Sequence, residues 1–255
     1  MLTIDYTNWL LVFVRVSALL AVFPLFTAPN FPMRLRVGLG ALVAFLVAPT
    51  LPPILVSHLT FGSLVTWLLA EVTVGLLMGF VSRILFFIVD AAGNLVTSEM
   101  GLNLASQLNP FSNTQTQSPG MILYYLAAMI FLSLDMHHAL LVGFQRSYSF
   151  LPVGGVQMRE ALFQDIVSRT SNLFLVALQM AAPMIAISFI ITLIFSVLSR
   201  AVPQMNVFAE NFAARSLAGL LVFGLTLNLM AQHILNYARR LPEDVLRIAQ
   251  LLGPG

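Results

Sequence analysis

The sequence has 255 residues, of which 59% are hydrophobic and only 9% are charged. Soluble domains carry about 25% charged residues, so this composition excludes a water-soluble monomer and places the chain in a membrane or inside a large assembly. All 12 basic residues are arginine and cysteine is absent, which excludes lysine-dependent catalysis, disulfides and thiolate metal sites. The net charge of +2 is too small for a nucleic-acid-binding protein.

Six apolar segments follow one another along the chain, and each is long enough to predict a helix that spans a membrane. They comprise residues 9–26, 37–56, 64–92, 121–150, 173–198 and 212–235. The sequence therefore predicts an all-α protein of the membrane type, built from helical hairpins in which some helices are broken or kinked. The first segment contains Arg15 and follows Asp5 rather than a basic residue, so we expect a retained helix and not a cleaved signal.

Later segments carry features that predict irregular helices. Residues 64–92 would extend about 43 Å as a helix, against a hydrocarbon core of about 30 Å, so this helix must tilt, bend or protrude. Polar residues near 135–138 make the fourth segment either one span with a polar middle or two short helices. Pro183 predicts a kink in the fifth segment. The tail, residues 237–252, mixes charged and apolar residues and predicts an amphipathic helix that begins after Pro242.

Charged residues within apolar segments are the strongest functional signal. Arg15 lies in the first segment, and Glu71, Arg83 and Asp90 lie in the third. Each costs a few kcal/mol in a membrane unless it is paired or hydrated. One interpretation is a path for protons or ions lined by Glu71 and Asp90, as in a small secondary transporter or a proton-conducting channel. The other is pairing between helices or subunits, which we favour because a relay needs more acidic residues at helical spacing.

Gly75 and Gly79 form a Gly-x-x-x-Gly face on the third segment. This spacing lets a second helix approach closely, and Gly75 shares a stripe with Glu71 at about 100° per residue. We therefore predict contacts with a neighbouring helix or subunit for a set of five residues. The set comprises Glu71, Gly75, Gly79, Arg83 and Asp90.

The connection at residues 101–120 contains no charged residue but is rich in amides and hydroxyls. A loop within a pore or a protein interior avoids charge because a buried unpaired charge is costly, yet it keeps its capacity for hydrogen bonds. A flexible surface loop explains the composition equally well. The residues alone leave both interpretations open.

Enzyme and metal motifs are weak in this sequence. There is no His-Glu-x-x-His and no Gly-x-Ser-x-Gly motif, so we predict neither catalysis nor a cofactor. Asp135, His137 and His138 are the best metal-like cluster. Adjacent histidines do not easily share one helical face, and a further ligand such as Glu99 would have to be supplied by folding. The sequence therefore favours a polar turn over a metal site.

Four stretches of sequence, taken in order, carry a resemblance to a known family. They are residues 32–40 with 48–52; Gly101 and Leu102 with Ala105, Asn109 and Pro110; His137 and His138 with residues 149–152 and Gly154; and Leu198, Arg200, Pro203 and Gln204 with residues 206–208. Together they resemble the FliR/SctT family of flagellar and virulence-associated type III protein export. Two departures stand out: the family usually has Asn-Gly at Asp135-Met136 and Gly-Phe-Pro near residues 211–213.

The resemblance implies a subunit of an export gate in the bacterial inner membrane, within the flagellar basal body. It implies assembly with FliP-like and FliQ-like subunits, cooperation with an FlhB-like subunit, and unfolded exported proteins as the substrate. In that family the central loop lies in the pore and helps to close it. The corresponding plug residues here would be Gln107, Asn109, Pro110, Phe111, Ser112, Asn113, Thr114, Gln115, Thr116 and Gln117.

Overall fold

The computed structural model describes residues 6–27, 31–52, 60–103 and 119–253. Within these ranges the backbone is helical apart from short turns and has no strand, so the predicted all-α class is confirmed. A short 3₁₀ turn, Ala48–Thr50, follows α3. The helices of the described ranges are α1 (Tyr6–Val22), α2 (Pro24–Thr27), α3 (Met33–Val47), α4 (Phe61–Glu99), α5 (Pro119–Ser133), α6 (Met136–Phe150), α7 (Glu160–Ala201) and α8 (Val207–Leu252).

Fewer helices are suited to span a membrane than the six predicted. Among the described residues, four are long and apolar enough, namely α3 with its 3₁₀ turn, α4, α7 and α8, and the number is five if α5 and α6 form one broken span. α1 has 17 residues, about 25 Å of helix, which is shorter than a hydrocarbon core of about 30 Å. α5 and α6 are bent by 66° at their junction, so the fourth apolar segment is two helices.

The long helices extend beyond the apolar segments that predict them. α7 has 42 residues, about 63 Å of helix, and it begins at Glu160, well before the apolar segment at 173–198. Its polar first turns remain helical because their side chains bond to each other at helical spacing: the Gln164 amide donates to the Glu160 carboxylate over 3.1 Å. Hydropathy marks only the apolar part of such a helix.

α8 corrects the prediction of a separate tail helix. It runs from Val207 to Leu252 with Pro242 inside it, although a proline removes one backbone hydrogen bond and crowds the preceding turn. Ala238 and Leu241 before the proline and Val245 after it are all buried. This apolar stripe packs on both sides of Pro242 and so keeps the helical path. The tail is nonetheless amphipathic, with exposed charges such as Arg239 and Arg240 opposite the buried stripe.

The chain divides into two compact units. Unit 1 comprises Met1–Ile84, Leu132–Arg169 and Arg239–Gly255. α1 lies at its centre: Leu11, Val12, Val16 and Leu19 are at most 1% exposed. α3 approaches α1 closely at Gly40, where a Cβ would lie 2.9 Å from the Ser17 hydroxyl and 3.5 Å from the Phe13 ring. The first unit is therefore a helical packing around a short apolar helix.

Unit 2 comprises Leu85–Phe131 and Thr170–Ala238. Aromatic and methionine side chains fill it: the Phe86 ring lies 5.4 Å from the Tyr124 ring and 6.4 Å from the Phe131 ring. Methionine is flexible and fills irregular gaps. Met100 and Met184 are fully buried in this unit, and a Cβ at Gly219 would lie 2.6 Å from Met100 and 3.2 Å from Met184. The lack of a side chain at Gly219 therefore leaves the space into which Met100 and Met184 pack.

Large apolar side chains cover the outside of α7 and α8. An exposed apolar surface that runs along a helix marks contact with lipid or with other proteins. The composition predicts the same environment. The side chains that are at least half exposed include Phe174, Leu175, Leu178, Phe189, Ile190, Leu193, Ile194 and Val197 on α7, and Phe208, Leu217, Leu220, Leu221 and Leu225 on α8.

Candidate functional site

A fully buried ion pair joins α1 to α4 in unit 1. Neither Arg15 nor Glu71 is exposed to solvent. The Arg15 Nε donates to Glu71 Oε2, and its Nη2 donates to Oε1 over 2.9 Å. This is the bidentate geometry in which arginine binds a carboxylate most strongly. The pair satisfies both charges inside an apolar unit, where either charge alone would be costly.

Residues of α6 and the loop after it complete the Arg15 cluster, which we define as Arg15, Glu71, Ser147, Tyr148, Leu151 and Gly154. Arg15 Nη1 donates to the Ser147 hydroxyl over 3.3 Å and to the Leu151 carbonyl over 3.4 Å. Its guanidinium carbon lies 3.9 Å from the centre of the Tyr148 ring, within the range of a cation–π contact. The Gly154 amide donates to Glu71 Oε1 over 3.2 Å.

Gly154 has a conformation that suits glycine. Its φ is +74°, and a Cβ there would lie 2.7 Å from the Trp67 indole ring. A side chain would therefore be strained by the backbone and would displace the ring. Leu151 and Gly154 belong to one of the stretches that carry the family resemblance, and both contact the buried ion pair through their backbone groups.

Gly75 and Gly79 lie where α4 approaches α1. A Cβ at Gly75 would overlap the Arg15 carbonyl oxygen and lie 2.7 Å from the Ala18 Cβ. A Cβ at Gly79 would lie 2.9 Å from the Leu19 carbonyl oxygen and 3.0 Å from the Val22 Cβ. The absence of side chains at these two positions lets the helices come close enough for Arg15 to reach Glu71.

The structure thus places Glu71, Gly75 and Gly79 together against one neighbouring helix. Of the other two predicted contact residues, Arg83 lies further along α4 and is half-buried, and Asp90 is exposed. The sequence reasoning missed Arg15 as the partner of Glu71, together with the α6 residues around it. One signal was available, because Arg15 is an opposite charge in another apolar segment and an intramembrane charge needs a partner.

A second cluster of polar side chains lies in unit 2, at the end of α4. The Glu99 cluster comprises Glu99, Ser188, Arg215 and Ser216. The Ser188 hydroxyl donates to the Glu99 carboxylate, Arg215 Nη2 donates to the same carboxylate over 3.2 Å, and Arg215 Nε donates to the Glu99 carbonyl over 2.9 Å. The Ser216 hydroxyl donates to the Met100 carbonyl over 2.9 Å. The last turn of α4 is held by α7 and α8.

Both described ends of the uncharged connection are anchored on α4. At the entry, Gly101 has φ +76°, and the Leu102 amide donates to the Thr97 carbonyl over 3.1 Å, the arrangement that ends a helix with a left-handed glycine. At the exit, a Cβ on Gly93 would lie 2.5 Å from the Gly120 Cα, so the two backbones touch. The candidate plug residues, 107 and 109–117, lie outside the described residues.

A third set of charges in unit 1, the Arg169 network, links the beginning of α7 to the end of α8. Arg169 contacts Asp165 at 2.5 Å and Asp244 at 2.6 Å, and Arg247 contacts Asp165 at 2.9 Å. The Gln157 amide also donates to the Leu252 carbonyl over 2.9 Å. Asp244 and Arg247 of the tail therefore pair with the beginning of α7 within the unit.

The turn between α5 and α6 holds Asp135, His137 and His138 close together. Asp135 and His138 are 74% and 69% exposed, with 3.5 Å between Asp135 Oδ1 and His138 Nδ1. Glu99, the further metal ligand that the sequence suggested, instead binds Ser188 and Arg215. The described residues contain no other group of three or more histidine or acidic side chains at metal-binding distances.

These features define the class: an all-α protein of the membrane type, with paired charges inside its helical units and apolar side chains outside. The chain belongs to the family of bacterial export proteins, family 1, whose model matches residues 6–241. This confirms the resemblance to the FliR/SctT family that the sequence motifs predict.

Curated relatives match along almost their entire length. The chain is 27% identical to the flagellar biosynthetic protein FliR of Bacillus subtilis (strain 168), covering 97% of this chain and 96% of that protein. It is 26% identical to FliR of Escherichia coli (strain K12) and 29% identical to FliR of Pectobacterium carotovorum subsp. carotovorum, each over 95% of both chains.

Proposed function

We propose that the chain is a structural and gating subunit of the flagellar protein export gate in the bacterial inner membrane, with no catalysis of its own. The observation that carries this proposal is an uncharged connection, residues 101–120, whose described ends are both anchored on α4, in a member of a bacterial export family. The relatives named flagellar biosynthetic protein FliR favour the flagellar system over a virulence system.

The partners that fit this function are FliP-like, FliQ-like and FlhB-like subunits. The exposed apolar side chains of α7 and α8 need lipid or protein neighbours, and a helical export complex supplies both. The buried share of the most apolar window is only 22% in each of these helices, against 61% in α4. α7 and α8 are therefore the surfaces on which we expect neighbouring subunits to pack.

The central loop fits the role of a plug for a physical reason. Amides and hydroxyls bond to each other, to neighbouring loops or to water, and no fixed charge must lose its solvent when the loop enters a pore. An unfolded substrate must also displace the plug. Hydrogen bonds of roughly 1 kcal/mol each are replaced more readily than buried ion pairs. Phe111 is the one aromatic residue of this segment, and we propose it as the apolar anchor of the plug.

Deletion of residues 112–117 tests the plug. The anchored ends, from Glu99 to Leu102 and from Pro119 to Gly120, are retained in this variant. We expect the complex to assemble and to conduct small ions when substrate export is switched off, as measured by single-channel conductance in planar bilayers. The matched control is the parent complex purified in the same way. If the assembled complex with the deletion conducts no more ions than the parent complex, the segment is a surface loop and not a plug.

The alternative function, a small secondary transporter or proton-conducting channel using Glu71, Arg83 and Asp90, is less well supported. Both oxygens of the Glu71 carboxylate are engaged by Arg15 and the side chain is fully buried. Purification in mild detergent distinguishes the two functions. A gate subunit co-purifies with FliP-like and FliQ-like proteins and is less stable when it is separated from them, whereas a transporter is equally stable alone and supports solute or proton flux in vesicles.

A further inference from the structure

The turn between α5 and α6 brings together three side chains that bind transition metals. Asp135, His137 and His138 each offer one donor atom, and all three atoms lie within 4.8 Å of one another. The Asp135 Oδ1 and His138 Nδ1 atoms are 3.5 Å apart. In a tetrahedral zinc site with bonds of about 2.0–2.1 Å, neighbouring donors are separated by about 3.4 Å. This pair already has the required spacing.

The backbone of the turn explains how adjacent histidines converge. Asp135 has φ +53°, a left-handed conformation, and its carbonyl accepts the His138 amide over 3.0 Å and the Ala139 amide over 3.2 Å. Asp135 and His138 are therefore one helical turn apart and share a face. The His137 ring lies against the His138 ring, with 4.1 Å between their centres. The polar turn that the sequence predicts therefore also brings the donor atoms of Asp135, His137 and His138 together.

His137 provides a second, independent observation. Its Nδ1 atom is buried and has no hydrogen-bond partner among the residues that the structure describes. Buried polar atoms in proteins nearly always have a partner. His137 also offers one ring nitrogen within 4.8 Å of the donor atoms of Asp135 and His138, and the exposed side chains of Asp135 and His138 leave the turn open to an ion from solvent.

We propose that Asp135, His137 and His138 bind a divalent transition-metal ion, with Zn²⁺ as the representative ligand. Two imidazoles and one carboxylate suit Zn²⁺, and three protein donors leave a fourth position for water or another ligand. The N-terminus of α6 opposes a cation, but this effect lowers affinity only about two- to fivefold. The carboxylate of Asp135 counteracts it. The site is distinct from the proposed gate function and does not depend on it.

Zinc binding to the full chain in detergent, purified without a histidine tag, tests the site. The chain has four histidines and no cysteine, so few other ligands compete. We expect one Zn²⁺ per chain by isothermal titration, and visible absorption bands of four-coordinate Co²⁺ when cobalt replaces zinc. Asp135→Asn and His138→Gln should each weaken Zn²⁺ binding at least tenfold. His233→Gln, which removes a histidine from α8, is the matched control and should bind like the parent.

Asp135→Asn keeps the test decisive because asparagine also tolerates the left-handed conformation, so the turn can form without the carboxylate. Circular dichroism and gel filtration should match the parent for this variant. The proposal is overturned if the parent chain binds no stoichiometric Zn²⁺. It is also overturned if Asp135→Asn binds Zn²⁺ as tightly as the parent, or if His233→Gln weakens binding as much as His138→Gln does.

Discussion

Glu71 and Glu99 are both glutamates of α4 that bind an arginine, yet their surroundings differ. Glu71 and Arg15 are fully buried, whereas Glu99 and Arg215 have side chains that are 29% and 25% exposed. The Arg15 cluster joins three helices and a loop of unit 1. The Glu99 cluster lies in unit 2, at the last turn before the uncharged connection.

The difference in burial implies a difference in function. A buried ion pair whose remaining polar groups are satisfied cannot exchange its partner for water without a large cost. A partly exposed pair can exchange its partner for water, because water replaces the lost bonds and the net contribution of the pair is small. Glu71 therefore fixes the packing of α1 on α4, and Glu99 holds the entry to the loop in a way that can be released.

The largest expected effect follows from removing one member of the buried pair. Arg15→Met replaces the guanidinium with an unbranched apolar side chain and leaves the Glu71 carboxylate without its partner. Such changes cost about 3–5 kcal/mol. We expect most of the chain to be lost from the assembled complex, as measured by co-purification from membranes and by the denaturant concentration that unfolds the purified chain.

Glu71→Gln and a double variant provide the controls for Arg15→Met. Glu71→Gln should weaken assembly more than it alters ion conduction, because Glu71 acts through pairing. The double variant, Arg15→Met with Glu71→Leu, removes both charges and should recover much of the lost assembly. A fully assembled Glu71→Gln complex with abolished proton-coupled export would instead indicate a relay.

The sequence predicts what depends on local composition. The all-α class follows from the apolar segments, and the need of Glu71 for a partner follows from its position inside one of them. The identity of that partner cannot be predicted from the sequence, because Arg15 is 56 residues away along the chain and only tertiary packing brings the two residues together. Among the described residues, four or five of the six predicted segments are long and apolar enough to span a membrane; α1, with 17 residues, is the shorter one.

Helix ends and prolines were the other source of error. Pro242 predicts a helix start, but buried residues on both sides of it continue α8. The beginning of α7 is polar and lies outside any apolar segment, yet Arg169 pairs with both Asp165 and Asp244. Both cases show tertiary contacts overriding local preference. The candidate plug residues remain a prediction from composition and resemblance.

A smaller effect tests whether the close approach of α1 and α4 is needed for the buried pair. Gly75→Ala places a Cβ against the Arg15 carbonyl and the Ala18 Cβ, and overpacking of this kind costs about 1–3 kcal/mol. Gly224→Ala on α8 is the matched control, since nothing lies within 4 Å of a Cβ there, and alanine favours a helix by about 1 kcal/mol. In chemical denaturation, the midpoint should fall for Gly75→Ala and rise for Gly224→Ala. Midpoints that shift equally in the two variants would mean that the Gly75 contact is not tight.

Gly79→Leu adds a larger side chain at the same helix contact and should block assembly of the complex.

The smallest expected effect concerns the Glu99 cluster. Glu99→Gln keeps a side-chain acceptor for Ser188 and Arg215 but removes the charge, and a partly exposed ion pair contributes about 0.2–1 kcal/mol. Global stability should therefore change little. The entry to the loop should open more often, by up to about fivefold, since 1.4 kcal/mol corresponds to a factor of ten.

The connection contains no lysine or arginine, so trypsin does not cut it, but chymotrypsin can cut at Phe111. We expect faster chymotryptic cleavage at Phe111 in Glu99→Gln and an unchanged rate in Glu243→Gln, which alters an exposed glutamate of α8. If both variants are cut at the rate of the parent, the Glu99 cluster does not hold the loop, and the contrast with Glu71 is one of burial alone.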